Sequence, residues 1–175
     1  MKQAIGACLA LSVFAISAPA GTAQSPDGDG ELAGAAGEAA LKACLAAAGA
    51  DSGARHDCIG TMVDACPGNA GSTLSMVSCV SEETGFWDTR LNAVYRDLMA
   101  AYRQQDEDFA DGYDLAPRLR EVQRGWIEWR DVKCKFAYDE FRGGTLGRIT
   151  GADCLLQMTA ERVIELETLL ETTRL

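Results

Sequence analysis

The sequence predicts an all-α protein: three longer helices in up-down-up order, preceded by a short disulfide-linked helical hairpin. Three observations carry this. Apolar residues recur at helical steps through residues 86–98, where Trp87, Leu91, Val94, Tyr95 and Leu98 share one face. No segment alternates apolar and polar residues with period two, and no Asn-Gly hairpin signal occurs. Cysteines fall in pairs about Gly-containing turns.

Residues 1–23 read as a secretory signal: Met1-Lys2, an apolar run over 5–16, then Ala18-Pro19-Ala20 or Gly21-Thr22-Ala23. Cleavage is expected near Ala20 or Ala23, which delivers the chain to the periplasm or the exterior. The run is about a dozen residues, short of the ~20 that span a bilayer. Cys8 precedes the apolar core, whereas a lipid-attachment cysteine follows it, so no lipid anchor is expected. Residues 24–37, rich in Gly, Ser, Pro and Asp, read as a disordered leader.

Residues 38–72 form the predicted hairpin. Its first helix, 38–48, is alanine-rich with Leu41, Cys44 and Leu45 on one face. Its second, 54–65, presents Cys58, Ile59, Met62 and Val63. Ser72 or Thr73 can cap the central helix that opens the domain at 73–175. That helix is expected from near Thr73 to near Arg103. Val77, Val80, Thr84, Ala101 and Tyr102 extend its stripe, and Glu82, Glu83, Arg90, Arg96 and Asp97 face outward.

A run of five acids without a base follows, Asp106, Glu107, Asp108, Asp111 and Asp114, interleaved with Phe109 and Tyr113. Asp114 can cap the next helix, with Pro117 in its first turn. Leu119, Val122, Trp126, Trp129 and Phe136 stripe this helix over 115–141. Ile127, Cys134, Tyr138 and Phe141 widen the stripe, as in a helix covered on more than one side. Arg142-Gly143-Gly144 ends it. Thr150-Gly151-Ala152-Asp153 resembles a capping box opening the last helix, whose inner face carries Leu155, Met158, Thr159, Arg162, Leu166, Leu169 and Leu170.

Removing residues 1–23 leaves 152 residues (175 − 23), enough for one domain with a core, and shifts the net charge from −10 to −11 as Lys2 departs. Such acidity disfavours nucleic acid and anionic membranes and suits cationic partners, or simply keeps an exported protein in solution. With Cys8 gone, six cysteines remain in an oxidising destination. Cys44 and Cys58 are symmetric about Asp51, and Cys134 and Cys154 about Gly144, as in antiparallel helix pairs; Cys66 and Cys79 remain. Each bridge would contribute on the order of 3 kcal/mol in the chain-entropy model. With no C-x-x-C and one histidine, His56, zinc is not expected, nor is any cofactor.

An enzyme is not expected either. Paired cysteines leave no thiolate, and no G-x-S-x-G, phosphate loop or H-E-x-x-H occurs. Glu82 and Glu83 project about 100° apart on one helix and cannot flank a bond.

The ordered set Trp87-Asp88-x-x-Leu91-Asn92-x-x-Tyr95-x-x-Leu98, Leu119-x-x-x-Gln123-x-x-Trp126-Ile127-x-x-Arg130-Asp131-x-x-Cys134 and Cys154-x-x-x-x-Thr159-x-x-Arg162-x-x-x-Leu166 resembles the LprI-like lysozyme-inhibitor domain of bacterial envelope proteins. The resemblance covers about Cys79 to Leu170. It implies an exported helical domain with a bridge between its last two helices, and binding to lysozyme. The hairpin before Cys79 departs from the minimal domain.

Two residue sets are candidates. Asp106, Glu107, Asp108, Phe109, Asp111 and Tyr113 could form an acidic, aromatic loop that is steered to a basic lysozyme and blocks its cleft; they equally suit a solvated connection. Asp88, Asn92, Trp126, Arg130, Asp131 and Arg162 read as a structural polar network, with Arg130 over Trp126 and Asp131 paired to Arg130 or Arg162. The expected function is binding a protein, with a cationic lysozyme or muramidase first in line; the alternative is a structural or adaptor module of the envelope. The chain is read as a monomer with no membrane span.

Overall fold

The apolar stripe centred on Trp87 folds as expected. A computed structural model describes residues 27–109 and 111–174, with side chains from residue 34 onward. The signal segment 1–23 lies outside them. The central helix, α4 (Thr73–Phe109), is 37 residues and therefore about 55 Å long. It packs along α6 (Thr145–Thr172) in the longest interface of the fold, and α5 (Leu115–Asp139) lies mainly on α6. Trp87, Leu98, Val163 and Leu166 are fully buried in the shared core. Burying Trp87 alone contributes on the order of 4 kcal/mol. Ser72 opens α4: its Oγ accepts from the Ser75 N–H at 3.3 Å and its carbonyl from the Met76 N–H.

In front lie α1 (Asp27–Ala48), α2 (Ser52–His56), α3 (Thr61–Ala65) and a 3₁₀ turn (Pro67–Ala70). Helix α1 corrects the leader reading, since residues 27–37 are helical. Gly37 packs against α3 here: a Cβ on it would lie in van der Waals contact with the Met62 Cα, at 3.5 Å. The expected helix over 54–65 is broken, because Gly60 takes φ +98° between α2 and α3. Bridges Cys44–Cys58, Cys66–Cys79 and Cys134–Cys154 staple α1 to the end of α2, the 3₁₀ turn to α4, and α5 to α6.

The start of α6 is also corrected. It begins at Thr145, and Thr150 lies inside it, donating its hydroxyl to the Ala137 carbonyl at 3.1 Å. Gly147 and Gly151 mark a tight crossing against α5 and not a helix start. On α5, only one of the two expected faces is covered. Ala116, Leu119, Gln123 and Cys134 are buried, whereas Val122, Trp129 and Phe136 stand in solvent. No helix among the described residues is long and apolar enough to cross a membrane.

Candidate functional site

The acidic run is not one loop. Residues 104–109 continue α4 for nearly two turns beyond the expected end, and the turn to α5 is short. Gln104 donates to Asp108 Oδ1 at 2.9 Å across one helical step, and Tyr113 N–H to Asp111 Oδ1 at 3.0 Å. Gly112, at φ +84°, supplies the left-handed bend. Phe109 and Tyr113 are 73% and 69% exposed, so the tip of the α4–α5 hairpin carries two uncovered aromatic rings. Glu107, Asp108, Asp111 and Asp114 are exposed around them. Two exposed rings and four exposed acids thus share the tip.

Asp106 stands apart. Its two carboxylate oxygens accept from the Leu115 and Ala116 N–H groups at 2.7 and 3.0 Å. It thereby caps α5 from across the turn, while the expected cap, Asp114, makes no side-chain capping bond. An acid at a helix N-terminus is favourable both for the free N–H groups and for the helix dipole. Asp106→Ala is expected to cost about 1–2 kcal/mol in urea unfolding, a cap-sized loss; an unchanged midpoint would remove Asp106 from this role.

The second residue set separates in space. Asn92 donates to the Asp88 carbonyl and to Asp88 Oδ2, at 2.9 and 3.0 Å, in an exposed pair local to α4. Around Trp126 one cation comes from its own helix, α5, and the other from α6. The guanidinium carbons of Arg130 and Arg162 lie 5.1 and 5.7 Å from its ring centroid. Arg162, buried on α6, donates to Gln123 Oε1 on α5 at 3.0 Å and pairs with Glu165 at 2.6 Å. Asp131 pairs with Arg130, at 2.8 Å, and not with Arg162.

Sequence reasoning missed two polar clusters. Glu83, placed outward above, is fully buried. Its carboxylate accepts from the N–H groups of Gly60, Met62 and Val63 at 2.7, 2.9 and 3.0 Å, and from Trp87 Nε1 at 3.0 Å. The available signal was its spacing, three after Val80 and four before Trp87, inside the apolar stripe. Arg55 is likewise buried. It donates to the Gly49 carbonyl and Glu171 at 2.6 Å and faces Glu167 at 3.4 Å, while Arg90 holds Glu167 at 2.5 Å. Nothing local marks Arg55, because its acids are more than a hundred residues away. Both clusters fasten the front elements to the α4–α6 pair.

A groove of about 530 Å³ lies near the other end of α4, lined by Gly37, Met62, Pro67, Leu74, Ser78 and Glu82. Its one charged group is Glu82. Reactive chemistry has little to work with in the described residues: six cysteines are bridged, His56 is exposed, and no cluster of three His, Cys, Asp or Glu is placed to hold a metal.

Comparison with known proteins gives the same direction. The family described as lysozyme inhibitor LprI matches residues 64–166. An uncharacterized protein of Rhizobium meliloti (strain 1021) is 32% identical over 106 residues, covering 58% of this chain and 76% of that protein. An uncharacterized 17.7 kDa protein from the puhA 5′ region of Rhodobacter capsulatus is 28% identical over 120 residues, 63% of this chain and 72% of its own. No solved structure matches significantly. The matched region takes in α4, α5, most of α6 and the two bridges beyond Cys58, and on that match the chain belongs to the lysozyme inhibitor LprI family.

Proposed function

We propose that this protein is exported to the periplasm or beyond, and blocks a lysozyme or related muramidase by protein contact through the α4–α5 tip. The observation that carries the reading is the pair of exposed rings, Phe109 and Tyr113, set among acids with no base in residues 104–114. Aromatic anchors supply contact energy once desolvated, and surrounding charge supplies steering and orientation. A chain of net charge −10 approaches a basic enzyme with the field in its favour. Asp106 ties the end of α4 to the first turn of α5, which lowers the ordering cost of binding at the tip. Family membership supports a protein partner and an inhibitory outcome. The Trp126 set belongs to the register of α5 on α6, because Arg162 is buried between them.

The test is titration of the purified protein against several lysozyme types at low and high salt. Inhibition is expected to be stoichiometric and to weaken as salt screens the charges. Phe109→Ala with Tyr113→Ala is expected to raise the inhibition constant by about 30-fold or more, as loss of a hot spot does. Glu107, Asp108 and Asp111 to Lys would slow association; Asp106 is left in place because it caps α5. Folded protein that inhibits no lysozyme type at low salt would end this reading.

A further inference from the structure

Helix α5 leaves one apolar face uncovered, and its spacing is that of a helix seam. Val122, Trp129 and Phe136 recur every seven residues, with Leu115 one repeat earlier. The intermediate positions, also seven apart, are Arg118, Gly125, Val132 and Asp139, so the apolar stretch is centred on Gly125 to Phe136 with charges at its ends. Trp129, Val132 and Phe136 are 59%, 64% and 63% exposed. A strict seven-residue apolar repeat is the pattern that keeps one stripe facing a partner helix along several turns. The buried face of α5, through Leu119, Gln123 and Cys134, is already spent on α4 and α6. Large apolar residues in such a row are not scattered surface residues, and they mark an interaction face.

We propose that this face pairs with the same face of a second copy, the two α5 helices antiparallel about a two-fold axis near residue 127. The repeat is self-complementary in that register. Trp129 of each copy meets Gly125 of the other, where no Cβ stands and nothing lies within 4 Å. Val122 meets Val132, and Phe136 meets Arg118, a cation–π pairing. On the acidic flank, Glu121 faces Lys135, whose exposed pairing with Asp139 is easily exchanged. Glu128 is the one residue set against its own copy, with Arg124 one turn away to offset it. The protein's acid excess does not oppose the contact. Helix α5 carries Arg118, Arg120, Arg124, Arg130, Lys133 and Lys135 against Glu121, Glu128, Asp131 and Asp139, in a chain of −10. The seam spans about 30 Å of helix, set against the roughly 1,200 Å² of total burial at which specific stable interfaces begin. Area alone does not set affinity; a small interface with one large aromatic anchor per copy is expected to hold only in the micromolar range and above. The two α4–α5 tips then project from opposite ends of the pair.

Sedimentation equilibrium on the purified full chain tests this. Wild type is expected to be dimeric at about 100 µM and to dissociate on dilution through the micromolar range. Trp129→Glu weakens the dimer by about 30-fold or more. Measured well below the dissociation range, its helical circular dichroism and unfolding midpoint match wild type, because the side chain is exposed in the monomer. Glu121→Lys and Lys135→Glu each weaken the dimer and the double exchange restores it, an outcome specific to antiparallel self-pairing. Wild type that remains monomeric at that concentration overturns the proposal, whether or not it floats with anionic vesicles. So does a dimer that Trp129→Glu leaves intact, or one that the charge exchange does not rescue.

Discussion

Glu83→Ala is expected to destabilise the protein by about 4 kcal/mol, among the largest losses available to a single polar substitution here. The carboxylate is fully buried and holds four donors at 2.7–3.0 Å. Three of them are N–H groups at the start of α3, a five-residue helix that cannot satisfy its own first-turn donors. Removing the acceptor leaves these groups and the Trp87 indole unpaired in the core, each costing about 1–3 kcal/mol unless water enters. Glu83→Gln keeps the volume but turns an amide NH₂ toward N–H donors, so about 2–3 kcal/mol is expected to be lost. Urea unfolding checks both, with Glu82→Ala, exposed on the same helix, held within about 0.5 kcal/mol of wild type. Proteolysis should also find residues 52–65 first in Glu83→Ala, since that anchor holds them to α4. Equal midpoints for Glu82→Ala and Glu83→Ala would show that the buried carboxylate contributes nothing.

Gly147→Ala is expected to cost about 3 kcal/mol, although alanine is the better helix former. Its Cβ would stand 2.6 Å from the Tyr138 carbonyl oxygen and 3.2 Å from the Phe141 Cβ. Those atoms belong to or adjoin the α5 backbone and cannot swing aside, so the two helices must separate near their bridge, Cys134–Cys154. Gly151→Ala is tight only against the Tyr138 Cβ, at 3.1 Å, with the α5 backbone at 3.6 Å and beyond, and should cost about 1 kcal/mol. Gly85→Ala on α4 has nothing within 4 Å and should stabilise by about 0.5–1 kcal/mol. The sign reversal between positions 147 and 85 is what thermal or urea unfolding would read. A stabilising Gly147→Ala would mean that α5 and α6 do not cross this closely.

The stripe through Trp87, Leu91 and Leu98 was legible because burial along one helix repeats with the helical period, a local property. Two cysteine pairs were legible for a related reason: antiparallel helices bring together residues equidistant from their turn, which gives Cys44–Cys58 and Cys134–Cys154 and leaves Cys66–Cys79, and the three bridges join those pairs. Local signals misled where a residue type has two uses. Gly37 read as part of a disordered leader and lies in α1, packed against Met62 of α3. Thr150 to Asp153 reads as a cap and lies within α6, where Gly147 and Gly151 admit α5. The acidic run read as one surface, yet Asp106 is turned inward to cap α5.

From residue order alone came the helical class, the three long helices, the staples and the family. The burial of Glu83 and Arg55, the division of the acidic run and the uncovered side of α5 were decided by tertiary structure. The physical reason is range. A helical period and a loop length are properties of neighbours in the chain. Whether a buried carboxylate or guanidinium is tolerated depends on partners brought from 20 to 116 residues away, and which of two apolar faces is covered depends on where the other helices lie.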